Sequence, residues 1–268
     1  MPLPSSGPMS IDMIAQEFEG PRPSELDDFY AGGPYVPSGA RGNSGPIPAS
    51  GRLQFSDFYG SQNEQPIRAQ DRGSFYSTQG NHGPGAWATS TLSIGTAAAD
   101  RVVIIMQHSE HAEAAAVKVA GVNAVKLAAS RGSAANTHNS IWLCALGNTG
   151  GSGTATVQWQ IKPGTDSRRH TIGSHIVYSG KLSTAYSNNS CTSANIKSVE
   201  GGIGFNVSSG RYGAVSTTPG WTSLYSIPGG EQCLNMTMRY PLPAGTVSIT
   251  CAVGGSSRSV SACTIEGA

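Results

Sequence analysis

The sequence predicts an all-β protein, in which a jelly-roll-like antiparallel β-sandwich follows an extended, mostly irregular N-terminal arm with short helical turns. Charged residues make up only 12% of the chain and glycines number 35, a composition typical of turn-rich β proteins. From Trp87 onward, short stretches of alternating apolar and polar residues are separated by Gly, Pro and Asn turns. These patterns predict an anchoring arm over residues 1–60, a polar linker over residues 61–86 and one sandwich domain over residues 87–268.

The arm is organised around residues 48–60, which repeat two earlier segments. Their first half has the same order of Pro, Ser-Gly and spaced apolar residues as residues 4–12, and their second half repeats the Asp-Phe-Tyr of residues 26–32. An internal repeat indicates that one small unit performs the same physical task twice. A Ser-Gly pair after proline predicts a turn, and Asp27 or Ser56 is placed to cap one turn of helix.

Each repeat offers only two or three large apolar side chains. Ordering one residue costs about 1–2 kcal/mol, so neither repeat is expected to hold itself together. The aromatic side chains should instead dock onto another surface, either the body of this chain or a neighbouring subunit. The predicted partner-binding residues are Phe18, Phe29, Tyr30, Phe55, Phe58 and Tyr59.

The remaining arm sequence predicts one helix and one connecting segment. The helix is expected over residues 10–18, where Ile11, Ile14 and Phe18 fall on one face. Residues 61–86 are mostly polar and are expected to form a linker.

The charges of the chain are divided unevenly between its two parts. Residues 1–86 carry nine acidic and five basic side chains, whereas residues 87–268 carry seven acidic and twelve basic ones. Opposite net charges would favour docking of the arm of one copy on the body of another. The basic residues are dispersed, which argues against a nucleic-acid partner.

The domain from Trp87 onward contains a series of candidate strands. The Val-Val-Ile-Ile-Met run within residues 101–107 predicts a strand buried on both faces, and residues 117–127 predict a hairpin that turns at Ala120-Gly121. The other predicted strands lie within residues 91–94, 140–146, 154–161, 172–178, 196–199, 203–207, 234–240, 247–251 and 259–265.

The start of the sequence, its apolar runs and its cysteines indicate the cellular compartment. The first residues lack a basic leader and an apolar core, and no apolar run approaches the ~20 residues of a membrane helix. Synthesis and assembly in a cytosol, without membrane insertion, are therefore expected. The five cysteines, Cys144, Cys191, Cys233, Cys251 and Cys263, lack metal-type spacing. We expect free, hydrophobic thiols, with a disulfide among the last three as the alternative.

No pattern of residues predicts catalysis. The most ligand-like cluster is His108, Glu110 and His111 with Glu113, but a solvated loop after a buried strand is the favoured interpretation. The sequence has no Gly-x-Ser-x-Gly elbow, and the few carboxylates of the domain fall in apparent loops or strand ends. We therefore expect a non-enzymatic protein with no metal or other cofactor.

Two of the four tryptophans suggest a binding surface. Trp142 and Trp159 lie in predicted strands and are expected in the core. Trp87 and Trp221 lie beside Gly and Thr in predicted loops, where exposed rings could stack against sugars.

Several of these segments resemble the virion-associated structural proteins of tailed bacteriophages. The arm residues 3–11 and their echo are similar to the "LPSSGPIS"-type segment near the start of such proteins. The domain resembles the β-sandwich often found there. The matching segments, in the same order, are residues 93–101, 117–127, 140–143, 148–153 and 220–224.

This resemblance implies a structural component of the tail, tail tip, fibre or neck, assembled in the host cytoplasm. Its implied partners are other virion structural proteins, and a homo-oligomer within a symmetric particle is expected. Two alternatives remain open: a tail-fibre module that binds host-surface glycans, and a capsid decoration protein.

Overall fold

The computed structural model divides into two compact units, Met1–Pro66 and Ile67–Gly267, here called the N-terminal unit and the β unit. The residues that it describes are 3–36, 40–61, 67, 69–132, 137–164, 167–178, 180–188, 193–198, 201–213, 219–227, 233–250 and 256–267. Within these ranges, no helix has the length and apolar character needed to cross a bilayer.

The N-terminal unit consists of short elements joined by turns. Helix α1 spans Ile11–Glu17, where the side chain of Ser10 accepts a hydrogen bond from the Met13 amide at 3.3 Å. Two single 3₁₀ turns, Leu26–Phe29 and Phe55–Phe58, flank a small hairpin of β1 (Arg41–Gly42) and β2 (Gly45–Pro46). The predicted helix and both helical turns are confirmed.

The β unit is built almost entirely of antiparallel strands, which confirms the all-β fold of packed sheets. Its strands are β3 (Ala69–His82), β4 (Trp87–Gly95), β5 (Arg101–Ser109), β6 (Ala114–Val119), β7 (Val122–Asn123), β8 (Val125–Arg131), β9 (His138–Ala145), β10 (Gly153–Ile161), β11 (Ser167–Tyr178), β12 (Gly180–Asn188), β13 (Ser193–Ser198), β14 (Ile203–Arg211), β15 (Thr222–Ile227), β16 (Cys233–Arg239), β17 (Gly245–Thr250) and β18 (Ser256–Gly267).

These strands form four sheets. Sheet 1 has the order β4-β10-β6-β7, sheet 2 the order β3-β11-β5-β9-β8, and sheet 3 the order β12-β18-β14-β16-β15, while sheet 4 pairs β13 with β17. One apolar cluster joins the strands of sheets 1 and 2, a second joins those of sheets 2 and 3, and a third joins those of sheets 3 and 4. The layering thus extends beyond a two-sheet sandwich, with sheet 2 enclosed on both faces.

Strand β5 at the centre of sheet 2 confirms the prediction of a strand buried on both faces. Val103 and Ile105 belong to the cluster with sheet 1, whereas Ile104 and Met106 belong to the cluster with sheet 3. All nine residues of the strand are buried. A run of apolar residues without alternation is what such a position requires.

The predicted polar linker over residues 61–86 is wrong for most of its length. Strand β3 occupies Ala69–His82 and pairs with β11 from Ala69 opposite Tyr178 to His82 opposite Ser167. It is the edge strand of sheet 2. Main-chain hydrogen bonds to β11 hold this strand in the sheet, so it needs few apolar side chains. Its ring Phe75 stacks on Tyr225 at a centroid distance of 5.3 Å.

The hairpin predicted over residues 117–127 has the predicted turn, but its second strand is split between two sheets. Ala120 and Gly121 both have positive φ, 49° and 83°, as a type I′ turn requires between β6 and β7. After Asn123 the chain leaves sheet 1, and β8 pairs with β9 in sheet 2. The turn residues are readable from sequence, whereas this change of sheet is not.

Candidate functional site

The two repeats of the N-terminal unit fold into matching 3₁₀ turns. In the first, the Glu25 amide donates to the carboxylate of Asp28 at 2.9 Å, and in the second the Gln54 amide donates to Asp57 at 2.8 Å. The capping carboxylates are therefore Asp28 and Asp57, at the third position of each turn. The prediction that Asp27 or Ser56 caps its turn is wrong, because the N-cap residues are Glu25 and Gln54, two positions earlier in each repeat.

Each 3₁₀ turn binds the Pro-x-Ser-Gly turn of the other repeat. The Tyr59 hydroxyl donates to the carbonyl of Gly7 at 2.5 Å, and the Gly60 amide donates to the carbonyl of Pro4 at 2.9 Å. This pairing closes the unit from its first residues to its last, and we call it the outer pair.

The same two contacts recur between the other two segments. The Tyr30 hydroxyl donates to the carbonyl of Gly51, and the Ala31 amide donates to the carbonyl of Pro48 at 2.9 Å. We call this the inner pair, because both of its segments lie in sequence between those of the outer pair. The duplicated motif therefore performs one task twice, and that task is to bind its own second copy.

Three of the predicted partner-binding phenylalanines lie inside the N-terminal unit. Phe18, Phe29 and Phe58 are at most 1% exposed, and the rings of Phe18 and Phe58 meet edge-to-face with centroids 6.1 Å apart. The same cluster contains Leu3, Ile14, Ala15, Ala31, Val36, Ala40 and Ile47. The expectation that the arm has too little apolar surface to hold itself together is wrong, because the two repeats and α1 share one core.

This core changes which aromatic residues can meet a partner. Phe18, Phe29 and Phe58 are not available, so their predicted role as partner-binding rings is corrected. Tyr30 and Tyr59 are half-buried with their hydroxyls engaged in the two pairs. Phe55, at the start of the second 3₁₀ turn, remains 40% exposed and is the candidate contact ring of the N-terminal unit.

The two candidate sugar-stacking tryptophans occupy different environments. Trp87, at the start of β4, is 40% exposed, and the Lys118 ammonium lies 4.9 Å from the ring centroid. Trp221 is only 4% exposed and packs in the cluster between sheets 3 and 4. Gly204 leaves room for it, since an added Cβ would lie 2.8 Å from the ring. A glycan contact at Trp221 is therefore wrong, and one at Trp87 stays a prediction.

Four histidines gather at one end of sheet 2. His108 lies in β5 opposite Asn139, His138 begins β9, His170 lies in β11, and His82 ends β3. The rings of His82 and His170 are 5.0 Å apart. Within the described parts of the chain, no group of three or more His, Cys, Asp or Glu side chains is arranged to hold a metal ion.

Burial controls the protonation of this cluster. Desolvation lowers the pKa of His108 to about 4, against the opposing hydrogen bond from its Nδ1 to Asn139 Oδ1 at 2.9 Å. Desolvation, followed by the nearby His82 and His108, lowers the pKa of His170 to about 3. His108 was expected in a solvated loop, but it is fully buried because β5 extends to Ser109, whereas His111 in the loop after the strand is exposed.

A pocket of about 330 Å³ opens next to this end of the sheet. It is formed where the loop after β5, the end of β8, the start of β9 and the residue after β10 meet. The lining residues are His111, Ala112, Glu113, Ala129, Ser130, Arg131, His138 and Lys162. Apart from His111 and Glu113, none of these residues was a sequence candidate, because they come from four separated segments.

Buried polar side chains cross-link sheets 2 and 3 beneath the pocket. The Asn139 amide nitrogen donates to the Ser259 carbonyl at 3.2 Å and to the Ser259 hydroxyl at 3.0 Å. The Ser130 and Ser261 hydroxyls are 2.9 Å apart. These contacts fix the pocket floor to the strand behind it. Sequence reasoning missed them, because a polar residue inside an alternating strand resembles a solvent-facing one.

Arg101 is the other large polar side chain that sequence reasoning missed. It is 1% exposed, and its guanidinium donates to five main-chain carbonyls at 2.7–3.4 Å. The acceptors belong to Ile94, Gly95, Gly147, Thr149 and Gly151. Arg101 thereby holds the turn between β9 and β10 in place, which is a structural task.

Comparisons with protein-family models, with curated proteins and with solved structures gave no match.

Proposed function

We propose that this chain is a non-enzymatic structural component of a tailed-phage virion, in the tail, tail tip, fibre or neck. The N-terminal unit attaches the chain to neighbouring virion subunits, and the β unit is displayed as the outer body. The observation that carries the proposal is the pair of reciprocal contacts between Pro-x-Ser-Gly turns and Phe-Tyr turns. They involve residues 4–7 and their echo, the part of the N-terminal unit that resembles virion proteins.

The folded N-terminal unit changes how attachment would work. An arm of separate aromatic plugs would become ordered only on the partner, at a cost of about 1–2 kcal/mol per residue. A unit that is already folded avoids this cost and offers a shaped surface instead. Phe55 and Met13, 40% and 38% exposed, are the large apolar side chains it presents to a partner.

Incorporation into particles tests this proposal. We expect Phe55→Glu to lower the amount of this chain in purified particles, because a charge replaces the exposed contact ring. Tyr76→Glu in β3 is the matched control, since Tyr76 is also 40% exposed but belongs to the β unit. Quantitative mass spectrometry of the particles measures the result. Equal incorporation of Phe55→Glu and the control would contradict attachment through this surface.

The capsid decoration alternative shares the same chemistry and differs in position. Electron microscopy of particles that carry a labelled copy of the chain separates the two functions. Label on the tail or neck supports the proposal, and label distributed over the capsid shell supports decoration.

A further inference from the structure

We propose that the first Pro-x-Ser-Gly turn of this chain is exchanged between molecules, so that residues 3–7 of one molecule bind the Tyr59 turn of a second molecule of the same protein. The outer pair then joins two chains instead of closing one. This inference rests on the attachment role proposed above for the N-terminal unit, and it names a second copy of the chain as the partner.

The two Pro-x-Ser-Gly turns are chemically equivalent. Residues 3–7 read Leu-Pro-Ser-Ser-Gly, and residues 47–51 read Ile-Pro-Ala-Ser-Gly. The leading aliphatic residues, Leu3 and Ile47, are both buried in the shared core of the unit. The final glycine of each segment has a positive φ, 96° in the first and 85° in the second. The chain therefore contains one recognition segment twice.

The two 3₁₀ turns that bind these segments are equivalent as well. In each, a tyrosine hydroxyl donates to the glycine carbonyl of the bound segment, and the next amide along the chain donates to its proline carbonyl. None of these contacts depends on which molecule supplies the segment. Exchange of an identical element between copies retains every native contact, and it is a low-cost route to assembly.

The first Pro-x-Ser-Gly turn can leave its own unit without opening the core. Leu3 supplies its buried side chain, whereas residues 5–8 are exposed. Besides the contacts of the outer pair, the Leu3 amide donates to the Ser61 carbonyl at 2.8 Å, and the Asn43 side chain donates to the Ser5 carbonyl at 3.1 Å. All of these bonds form again when the turn binds a second molecule.

The second Pro-x-Ser-Gly turn is held on both sides. Residues 47–51 lie in sequence between Ala40 and Phe58, which are both buried in the shared core. The Ile47 amide also donates to the Ala40 carbonyl at 2.9 Å. Release of this turn would disturb buried groups before and after it. Exchange is therefore confined to the outer pair.

Two exposed apolar side chains lie where the second molecule would make contact. Met13, in the first turn of α1, closely follows the exchanged segment, and Phe55 begins the 3₁₀ turn that receives it. They are 38% and 40% exposed. The connecting residues 8–10 span at most about 11 Å when extended, so exchange brings the two molecules together near these side chains. The second molecule then covers apolar surface that a single chain leaves in water.

Cysteine cross-linking between full-length molecules tests the exchange. Two differently tagged forms are coexpressed, one with Ser5→Cys and the other with Asn43→Cys, because both positions are exposed and Asn43 bonds to the Ser5 main chain. We expect mild oxidation to join the two forms by a disulfide between these positions. Peptide mapping by mass spectrometry distinguishes this disulfide from bonds to the native cysteines. A chain that carries both substitutions shows that the two positions can bond.

The second Pro-x-Ser-Gly turn provides the matched control. Ala49 occupies the position of Ser5 in that turn and is also exposed. The Ala49→Cys form, coexpressed with the Asn43→Cys form, should give no cross-link between molecules because its turn stays in place. Light scattering of the wild-type protein is the second measurement, and we expect a mass that is a multiple of the monomer mass.

Three results would overturn the proposal. The first is a monomeric mass of the wild type, and the second is a disulfide that forms within the doubly substituted chain but not between the coexpressed forms. The third is equal cross-linking by the Ala49→Cys control. None of these measurements uses particles, so failure of the proposed function is recognised separately. Exchange without incorporation would contradict the virion function, and incorporation of a monomeric chain would contradict the exchange.

Discussion

The hydroxyl of Tyr59 donates a hydrogen bond to the carbonyl of Gly7, across 52 residues of sequence. The equivalent tyrosine of the first repeat, Tyr30, makes the same contact with Gly51. A duplicated motif that looks like two separate docking segments is therefore the closing contact of one folded unit.

Removing the Tyr59 hydroxyl should loosen the outer pair of the N-terminal unit. We expect Tyr59→Phe to lower the free energy of unfolding of this unit by about 1 kcal/mol, the usual net value of one hydrogen bond. Tyr30→Phe should have a similar effect through the inner pair. Tyr76→Phe, at an exposed position in β3, is the control. Native-state hydrogen exchange measures the change, and an effect of Tyr59→Phe no larger than the control would contradict it.

Truncating a buried ring should unfold the N-terminal unit alone. Phe58→Ala removes a fully buried side chain and should cost about 3–5 kcal/mol, a large part of the stability of so small a unit. Phe55→Ala is the matched control on the same 3₁₀ turn, where the ring is 40% exposed. Limited proteolysis should then cleave within residues 1–66 of Phe58→Ala first. Equal protease resistance of the two variants would show that the shared core is not needed.

Acidification should destabilise the β unit through its buried histidines. Burial places the native pKa of His108 at about 4 and that of His170 at about 3, below the value near 6.5 in unfolded chains. The unfolded state therefore binds more protons below pH 6.5, and the free energy of unfolding falls as the pH drops from there towards 4. For His108 alone, the free energy of unfolding at pH 4 should be about 3 kcal/mol lower than above pH 6.5. Above pH 6.5 this stabilisation is fully present.

Denaturant unfolding at several pH values measures this effect. The double variant His108→Gln, His170→Gln should show a flatter dependence of stability on pH. Ile172→Val is the control, because it removes one buried methyl group from β11 and should lower stability equally at every pH. A wild-type slope in the double variant would assign the acid sensitivity to other groups.

Two of the cysteines should resist alkylation in the native protein. Burial raises the pKa of the Cys144 thiol to about 11, against the opposing charge of Arg101, and burial also raises the pKa of Cys263. The thiolate is the reactive form, so both should react with iodoacetamide only after denaturation. Peptide mapping by mass spectrometry checks each site. Rapid native labelling of Cys263 would show that sheet 3 opens at β18.

The described cysteines distinguish free thiols from the alternative of a disulfide. Cys144, Cys233 and Cys263 are free and buried, as predicted for small hydrophobic side chains. A disulfide between Cys233 and Cys263 is therefore wrong. Cys191 and Cys251 lie outside the described residues.

Sequence patterns predicted those features of the β unit that depend on local composition. The apolar run of β5, the Ala120-Gly121 turn and the alternation in β10 are each fixed by side chains within a few residues, and they were correct. Strand β3 was missed because its pairing with β11 depends on the main chain, and its side chains are mostly polar. Trp221 was misplaced because the cavity that receives it is formed by a distant glycine, Gly204.

The candidate sites were harder to predict, because they combine distant segments. Phe29 and Phe58 lie 29 positions apart, and only the shared core makes either one buried. His108 follows a predicted strand by one residue, so its burial depended on where β5 ends. Arg131 and Lys162 carry no motif at all, and they line the same pocket because the ends of β8 and β10 meet there.

The inner pair lies within the sequence span of the outer pair, and this sets the order in which the two pairs form during synthesis of the chain. The inner pair closes 21 residues and is complete once Gly51 has left the ribosome, whereas the outer pair closes 52 residues and waits for Tyr59. The longer closure costs roughly 0.8 kcal/mol more chain entropy, so the short one also forms first on energetic grounds. The turn at residues 4–7 is thus the last part of the N-terminal unit to become bound. A tag fused close to Pro4 would disturb that final step and leave the earlier one intact.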